Sequence, residues 1–500
     1  MKPIAWMAMA ACVALSACGG GNDVSSTKGS SSTSTTPGSP SNPSSPGGGS
    51  TSGSTHTQAG WSAVAALDGN VGESEPAVTV DAKGNAVATW LTLGTSAVDT
   101  NEIWGSRYVP GQGWGTATRL DTTDGSVNMT GPGVSPPQVV GNANGQALAL
   151  WVQWTPGPNE YALWARPYDP ASGWGTPAQV TPDVTSAAYT AGVDANGNAL
   201  VAWSQGTTSG ASSIEATRYT TDGKWAPTVT IPEPAQTGPN AVIGPIIRNI
   251  APNIAVTPAG NAVIAWQQTN TTQSALWTAT YDPTNGWTNS NPAVTEVYAG
   301  PKSVFSPAVG MDSKGNITLV WGEVDIDSAG AHTTTMSQRY AAGSGWQAGQ
   351  PVAPFMNMAD VGYYPVLNVN PDGVALVAWY GPDAALYANV SDTNGKWGTT
   401  QQLSLHPDLL QQRLPQLALD DTGNATVAWG DSGTPGSTDV LASRYSGGAW
   451  SAPTLFGQHP QGTDWPALGG SSSGTLALLW ILDVYNVGTE VQASFYTPGS

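Results

Sequence analysis

The sequence predicts an all-β protein, a single eight-bladed β-propeller with four-stranded blades. A fourteen-residue motif recurs eight times, an alternating strand follows it in most units, and a tryptophan opens a further strand in every unit. The repeats begin near residue 60 of the 500-residue chain and continue to its end. Eight similar units of four short antiparallel strands are typical of sheets arranged radially around a channel.

The motif starts at a proline and ends at a tryptophan, as in Pro76 and Trp90; only the third unit has Tyr189 in place of the proline. A glycine lies six residues before each tryptophan, and a short polar residue such as Asp81 lies three residues before the glycine. A polar side chain there can accept from the backbone N–H two residues on, and the glycine supplies a positive φ. Each motif is therefore a predicted β-hairpin. Its turn glycines are Gly84, Gly145, Gly197, Gly260, Gly315, Gly373, Gly423 and Gly474.

The other two strands of each unit predict how the ring closes. The third strand alternates like 103–108, and the fourth opens at a tryptophan such as Trp61 or Trp114. The last unit, 466–496, lacks a fourth strand, whereas the folded region begins with one. We therefore expect residues 61–67 to complete the last blade, which would leave no open sheet edge. Two four-bladed propellers or two open sandwiches are alternatives with the same strands.

The tryptophan-rich units resemble bacterial secreted propellers of the sialidase-like kind over residues 60–500. In the Asp boxes of that family, Ser-x-Asp-x-Gly-x-x-Trp, the tryptophan follows the glycine more closely than it does here. The resemblance therefore implies the architecture and not the activity. Four arginines recur beside the third-strand tyrosines, which indicates equivalent sites on separate blades, at the outer rim: Arg107, Arg218, Arg339 and Arg444.

The N-terminus carries the pattern of an export signal. Lys2 precedes an apolar stretch over 4–15, and Leu-Ser-Ala ends at Cys18. This resembles a bacterial lipobox, so residues 1–17 are predicted to be a lipoprotein signal peptide. The resemblance implies a lipid anchor on Cys18 and, because Gly19 follows it, an outer-membrane location in the cell envelope. An ordinary secretory peptide cut near Ala17 is the alternative.

Residues 18–59 are nearly all Ser, Thr, Gly, Pro and Asn, a composition that predicts a disordered tether. The chain has 15 Lys and Arg against 34 Asp and Glu, so its net charge of −19 argues against nucleic acid as a partner. Cys12 and Cys18 are its only cysteines, and its four histidines have no paired spacing. We expect a monomer with no metal, no cofactor and no assigned catalytic residue.

Candidate ligand-binding residues lie just before the inner strands. The connections from each outer strand to the next inner strand emerge on one face, where function concentrates on a rigid scaffold. Residues at the mouth of the channel on that face are candidates for contacting a ligand: Glu75, Arg248, Tyr364, Arg413 and Trp465.

The sequence favours a membrane-tethered binding module that presents this face to a glycan or an envelope protein. An enzyme of the glycosidase or lyase type is an alternative, since Glu73, Glu75, Asp360 and Asp464 all precede inner strands and paired carboxylates perform glycoside hydrolysis. A structural lipoprotein without a ligand is the third hypothesis.

Overall fold

A computed structural model of the protein describes the propeller region except for several connecting segments. All described residues belong to one compact unit, His56–Ser500, and among them no helix is long and apolar enough to cross a membrane. The described residues are 60–67, 72–94, 101–121, 127, 135–154, 161–181, 188–206, 212–231, 252–269, 274–287, 295–300, 302–327, 330–353, 364–381, 385–407, 414–432, 438–457, 463–484 and 488–499.

The strands form eight antiparallel sheets, which we number as blades 1 to 8. The inner strands of blades 1 to 8 are Glu73–Val80, Gln138–Gly141, Tyr189–Val193, Asn253–Val256, Ser303–Met311, Val366–Val369, Gln416–Leu419 and Thr463–Gly470. The second strands are Ala86–Thr92, Ala147–Trp154, Ala199–Gly206, Ala262–Thr269, Ile317–Asp327, Ala375–Tyr380, Ala425–Asp431 and Leu476–Val484. The third strands are Glu102–Val109, Tyr161–Asp169, Ser212–Thr220, Ser274–Asp282, Gly330–Ala341, Leu386–Val390, Asp439–Ser446 and Gly488–Thr497.

The outer position is filled by two short pieces in every blade except blade 6, which has the single strand Gln401–Ser404. The pieces in blades 1 to 4 are Gly113–Trp114 with Thr118–Arg119, Gly173–Trp174 with Ala178–Gln179, Lys224–Trp225 with Val229–Ile231, and Gly286–Trp287 with Thr295–Gly300. Those in blades 5, 7 and 8 are Gly345–Trp346 with Gln350–Pro351, Ala449–Trp450 with Thr454–Gly457, and Gly60–Trp61 with Ala65–Ala66.

The blades form one closed ring. Each inner strand contacts the inner strands of both neighbouring blades, and the inner strand of blade 8 contacts that of blade 1. The eight-bladed propeller is thereby confirmed, and two four-bladed rings or two open sandwiches are excluded. The inner strands line the channel, and the second strands behind them hold the hydrophobic core.

The predicted closure is confirmed by the pairing of the two ends of the propeller. Gly60 lies opposite Thr497 and Trp61 opposite Tyr496 in antiparallel register, and Ala65 lies opposite Ala493. The ring of Trp61 packs against that of Tyr496, with centroids 5.4 Å apart. The last blade thus combines strands from both ends of the propeller, which removes an open edge.

The recurrent tryptophans fill the space between blades, as predicted. The second-strand tryptophans of blades 1, 2, 5, 7 and 8 are among the largest fully buried side chains, for example Trp90 and Trp151. Trp90 lies in a cluster with Leu479 of the neighbouring blade. Aromatic side chains at this position therefore bury large apolar areas between sheets.

The predicted turns are also confirmed. All eight turn glycines have φ between 79° and 93°, a region that costs a residue with a Cβ more than glycine. The backbone N–H of Lys83 donates to Asp81 Oδ1 at 2.8 Å, and that of Asn144 donates to Asn142 Oδ1 at 3.0 Å. These hairpin turns all lie at one end of the ring, which we call the turn face; the opposite end is the loop face.

Two kinds of blade alternate around the ring. Odd-numbered blades have an aspartate at the first turn position. They also have an arginine on the third strand, opposite the second-strand residue that lies three positions after the turn glycine. The pairs are Asp81 and Arg107, Asp194 and Arg218, Asp312 and Arg339, and Asp420 and Arg444. Even-numbered blades have neutral residues at both positions: Asn142 and Pro167, Thr257 and Thr280, Asn370 and Val390, Ser471 and Phe495. Two of these arginines lie 3.7 Å from the turn aspartate of their own blade, Arg218 from Asp194 and Arg339 from Asp312.

These groups join each odd blade to the even blade that follows. Arg339 Nη2 lies 3.7 Å from Asp312 Oδ2 and donates to the carbonyl of Thr393 in blade 6 at 3.1 Å. The backbone N–H of Ser313 donates to Pro371 O at 3.0 Å. The corresponding turn-to-turn bonds of the other three pairs are Ala82 to Ala143, Ala195 to Pro258 and Asp421 to Ser472. Even blades are joined to the following odd blades too, since Asn142 Nδ2 donates to Asp194 O at 2.8 Å and Asn370 Nδ2 to Asp420 O at 3.0 Å.

Candidate functional site

The loop face holds the starts of the inner strands and the ends of the second strands. Residues that begin inner strands consequently encircle the channel at its mouth on this face. The prolines that open seven of these strands are buried and anchor them: Pro76, Pro137, Pro252, Pro307, Pro365, Pro415 and Pro466. Each buried proline therefore fixes the position of the residue before it at the mouth of the channel.

Three of these pre-proline residues have an unusual backbone. Glu75, Ser306 and Trp465 have φ of 49°, 52° and 55°, and the register of the inner strand shifts at each of them. They are β-bulges, which commonly lie next to binding or catalytic sites because they redirect a side chain. A left-handed conformation of a residue other than glycine costs about 1–3 kcal/mol and is concentrated at functional sites.

Two other blades accept longer insertions at the same height. In blade 2, Val127 pairs with Gln153 and Gln138 with Leu150, so residues 128–137 are inserted opposite only two residues. In blade 7, Pro407 pairs with Asp431 and Gln416 with Ala428, which leaves 408–415 as the insertion. At this position the pairing is thus interrupted by one extra residue in three blades and by a longer stretch of sequence in two. That combination is typical of a surface adapted for recognition.

The side chains at the pre-proline position divide the mouth into two halves. Blades 6, 7 and 8 present large side chains, and Glu75 follows in blade 1. Tyr364 is 41% exposed and Leu414 36% exposed, while Trp465 is partly buried. We call Tyr364, Leu414, Trp465 and Glu75 the mouth arc.

The opposite half of the mouth has small or compact side chains. Pro136 is exposed, Ala188 is buried and Ser306 is partly buried, while Ala251 of blade 4 lies outside the described residues. The backbone N–H of Ser306 donates to Gln267 Oε1 of blade 4 at 3.3 Å. The mouth is therefore asymmetric, with its apolar and aromatic surface on one side.

Glu75 lies below the surface of the mouth. It is only 2% exposed, and its carboxylate is close enough to Tyr189 to add to the rise in the pKa of that phenol, which burial chiefly causes. The Tyr189 hydroxyl donates to Pro136 O at 2.7 Å and lies 3.1 Å from Leu150 O. Its raised pKa and its carbonyl partners keep it protonated, so Tyr189 acts as a structural support.

The structure places the other sequence candidates as follows. Arg248, Arg413 and Asp360 lie outside the described residues, as does Cys18. Asp464 pairs through its backbone with Ile481 in blade 8. Within the described ranges, no group of three or more His, Cys, Asp or Glu side chains could hold a metal ion.

Sequence reasoning missed one residue of this face, Leu414, and set another apart without assigning it to a site, Trp154. Leu414 occupies the same pre-proline position as Tyr364, and that equivalence was available from the repeat alone. Trp154, at the end of the second strand of blade 2, is 40% exposed, although it lies farther from the channel than the mouth arc. Its departure from the regular spacing of the tryptophans sets it apart in the sequence.

No protein-family model matches the sequence, and no curated protein matches it. Several solved structures are similar in shape at low identity. The lectin BP39L from Burkholderia pseudomallei is 14% identical, covering 77% of this chain and 100% of the lectin, with a TM-score of 0.48. A protein of unknown function from Dyadobacter fermentans is 12% identical over 88% of this chain and 98% of its own, with a TM-score of 0.40. A polysaccharide lyase, an ulvan lyase, is 13% identical over 79% and 96%, with a TM-score of 0.42.

Proposed function

We propose that the protein is a binding module whose mouth arc holds a neutral glycan. The observation that carries this proposal is the run of large side chains at one scaffold position in three consecutive blades. Tyr364 and Leu414 are exposed on a rigid strand start, and Trp465 is fixed in a strained bulge beside them. Preorganised aromatic side chains bind with little loss of conformational freedom, because they are already ordered before the ligand arrives.

The charge of the chain favours a neutral ligand over an acidic one. At a net charge of −19, the protein repels polyanions at long range. Glu75 adds a further negative charge, buried beneath the exposed side chains of the arc. Both the net charge of the chain and the Glu75 carboxylate would repel an acidic polysaccharide.

The chain enters the propeller on the side opposite to this site. Gly60 pairs with Thr497, the last residue of a third strand, and third strands end at the turn face. As part of the proposal, a lipid on Cys18 would attach the propeller to the outer membrane through the segment 18–59. Incorporation of labelled palmitate, and its loss in Cys18→Ala, tests the anchor independently of binding.

Binding is tested with the purified protein on a panel of oligosaccharides, with cellohexaose, xylohexaose and chitohexaose as neutral members and hexagalacturonate as the acidic one. We expect binding of a neutral member, and a loss of about tenfold or more in affinity for Tyr364→Ala and for Trp465→Ala. Trp154→Ala is the matched control, an exposed aromatic on the same face outside the arc, and should bind normally. No binding to the panel, preference for the acidic member, or equal loss in all three variants would contradict the proposal.

A further inference from the structure

The two bulges Glu75 and Trp465 stand on either side of the seam where the ring closes. Glu75 belongs to the inner strand of blade 1, the first complete blade, and Trp465 to that of blade 8, which the N-terminal strand completes. The inner strand of blade 1 contacts the inner, second and third strands of blade 8. Any change in how these blades meet would therefore move Glu75 relative to the other three residues of the mouth arc.

Glu73 makes the central contacts of that seam. Its side chain is 0% exposed, and its Oε2 accepts from the backbone N–H of Val491, in the third strand of blade 8, at 2.7 Å. Its carbonyl accepts from Thr489 Oγ1 at 2.5 Å. The N–H of the preceding residue, Gly72, donates to Thr489 O at 2.8 Å. These bonds hold the start of the blade 1 inner strand against blade 8.

In other blades a side-chain oxygen of the same blade accepts from the equivalent backbone N–H of the third strand, and we call this bond the cap. In blade 2 the N–H of Leu163 donates to Thr181 Oγ1 at 3.1 Å, and Thr181 lies two residues after the outer strand of that same blade, Ala178–Gln179. In blade 1 the N–H of Ile103 donates to Asp121 Oδ1 in the same way. In blade 8 the N–H of Val491 donates instead to a residue of the next blade, Glu73, so this one carboxylate links two sheets.

We infer that Glu73 is a positioning residue for the proposed ligand site: it fixes the inner strands of blades 8 and 1 together, and thereby sets the position of Trp465 relative to Glu75. The inference rests on the proposed function only in taking the mouth arc as the site. Burial of Glu73 keeps it away from any ligand at the mouth. Because a buried amide without an acceptor is unfavourable, withdrawing the carboxylate should shift this seam until the Val491 N–H finds another partner.

The test uses the full chain labelled with 5-fluorotryptophan and contains no ligand. The ¹⁹F resonances of Trp465 and Trp154 are assigned by their loss in Trp465→Phe and Trp154→Phe. Glu73→Asp retains the charge but shortens the side chain by one methylene, so we expect the Trp465 resonance to shift while that of Trp154 stays in place. Glu73→Gln retains an oxygen at the same reach and should leave both resonances unchanged.

Thr181→Val is the matched control, since it removes the equivalent cap inside blade 2. It should lower the unfolding temperature without shifting the Trp465 resonance. Hydrogen exchange at the Val491 amide should accelerate about tenfold or more in Glu73→Asp and stay near the wild-type rate in Glu73→Gln. An unmoved Trp465 resonance in Glu73→Asp, or an equal shift in Thr181→Val, would overturn the inference. A protein that bound no glycan could still pass this test, so the two proposals fail separately.

Discussion

Replacing Asp312 by asparagine should show how much the alternating Asp–Arg pairs stabilise the ring. Asp312 is 1% exposed. Its Oδ1 accepts from the backbone N–H groups of Lys314 and Asn316 at 2.9 and 2.8 Å, and its Oδ2 accepts from Asn316 Nδ2 at 2.6 Å. In Asp312→Asn the first oxygen can keep its two bonds. The second atom becomes an amide nitrogen that faces two donors, Asn316 and Arg339.

The expected loss follows from these contacts. A hydrogen bond to a charged group contributes about 1.5–3 kcal/mol, and leaving a buried charge without its partner costs about 3–5 kcal/mol. Because Arg339 keeps its bond to Thr393 O, we expect the free energy of unfolding to fall by about 3 kcal/mol. The change should be largest near the turn, so exchange of the Lys314 and Asn316 amides should accelerate as well.

A double-mutant cycle separates the pair from its surroundings. Arg339→Val reproduces the valine that blade 6 has in equivalent register, Val390. In the Asp312→Asn background it should cost less than in the wild type, with a coupling energy of about 1–2 kcal/mol measured from guanidinium chloride unfolding. Additive costs, or an Asp312→Asn protein as stable as the wild type, would refute the assignment of a structural role to these pairs.

Three further changes test other parts of the account. Trp61→Ala should lower the free energy of unfolding by about 2–3 kcal/mol and expose the amides of the C-terminal strand to exchange, whereas Trp287→Ala, at the equivalent position of blade 4, should leave that strand protected. Gly373→Ala should destabilise more than Gly343→Ala: both have a positive φ, but a Cβ at the first would lie 2.9 Å from a carboxylate oxygen of the preceding blade and the second has open space. Wild-type stability should fall as pH rises above about 10, because the folded-state pKa of Tyr189 is raised above the unfolded value; Tyr189→Phe should flatten this alkaline decline and cost about 1 kcal/mol at neutral pH.

The blade count and the closure could be predicted because both depend on local, repeated signals. The turn needs a polar acceptor and a glycine at fixed spacing, and the packing between sheets needs a tryptophan at one strand position. The missing fourth strand of the last unit then assigned Trp61 to its partner. None of these steps requires knowledge of contacts between distant side chains.

The bulges could not be predicted, because a residue that precedes a proline at this position has a positive φ in some blades and not in others. Glu75, Ser306 and Trp465 adopt a positive φ where the preceding residues continue to pair with the second strand. Tyr364 precedes a proline as well, yet its strand begins only at Val366. The difference is whether the residues before the Xaa-Pro step pair with the second strand of the same blade, which is a property of the tertiary structure.

The alternation of blades was visible in the sequence but needed two patterns to be combined. Aspartate recurs at every second turn, and arginine recurs on the third strand of the same blades. The aspartates alone indicate turns, and the arginines alone indicate sites at the outer rim. Only the tertiary structure shows that the two residue types meet, as in the 3.7 Å between Arg339 Nη2 and Asp312 Oδ2.

The most direct test of the account is a crystal structure of the protein with a neutral oligosaccharide that binds from the panel. We predict sugar density at the mouth on the loop face, in contact with Tyr364, Leu414 and Trp465. Density on the turn face, on the outer rim, or over blades 2 to 5 with the arc unoccupied would contradict it.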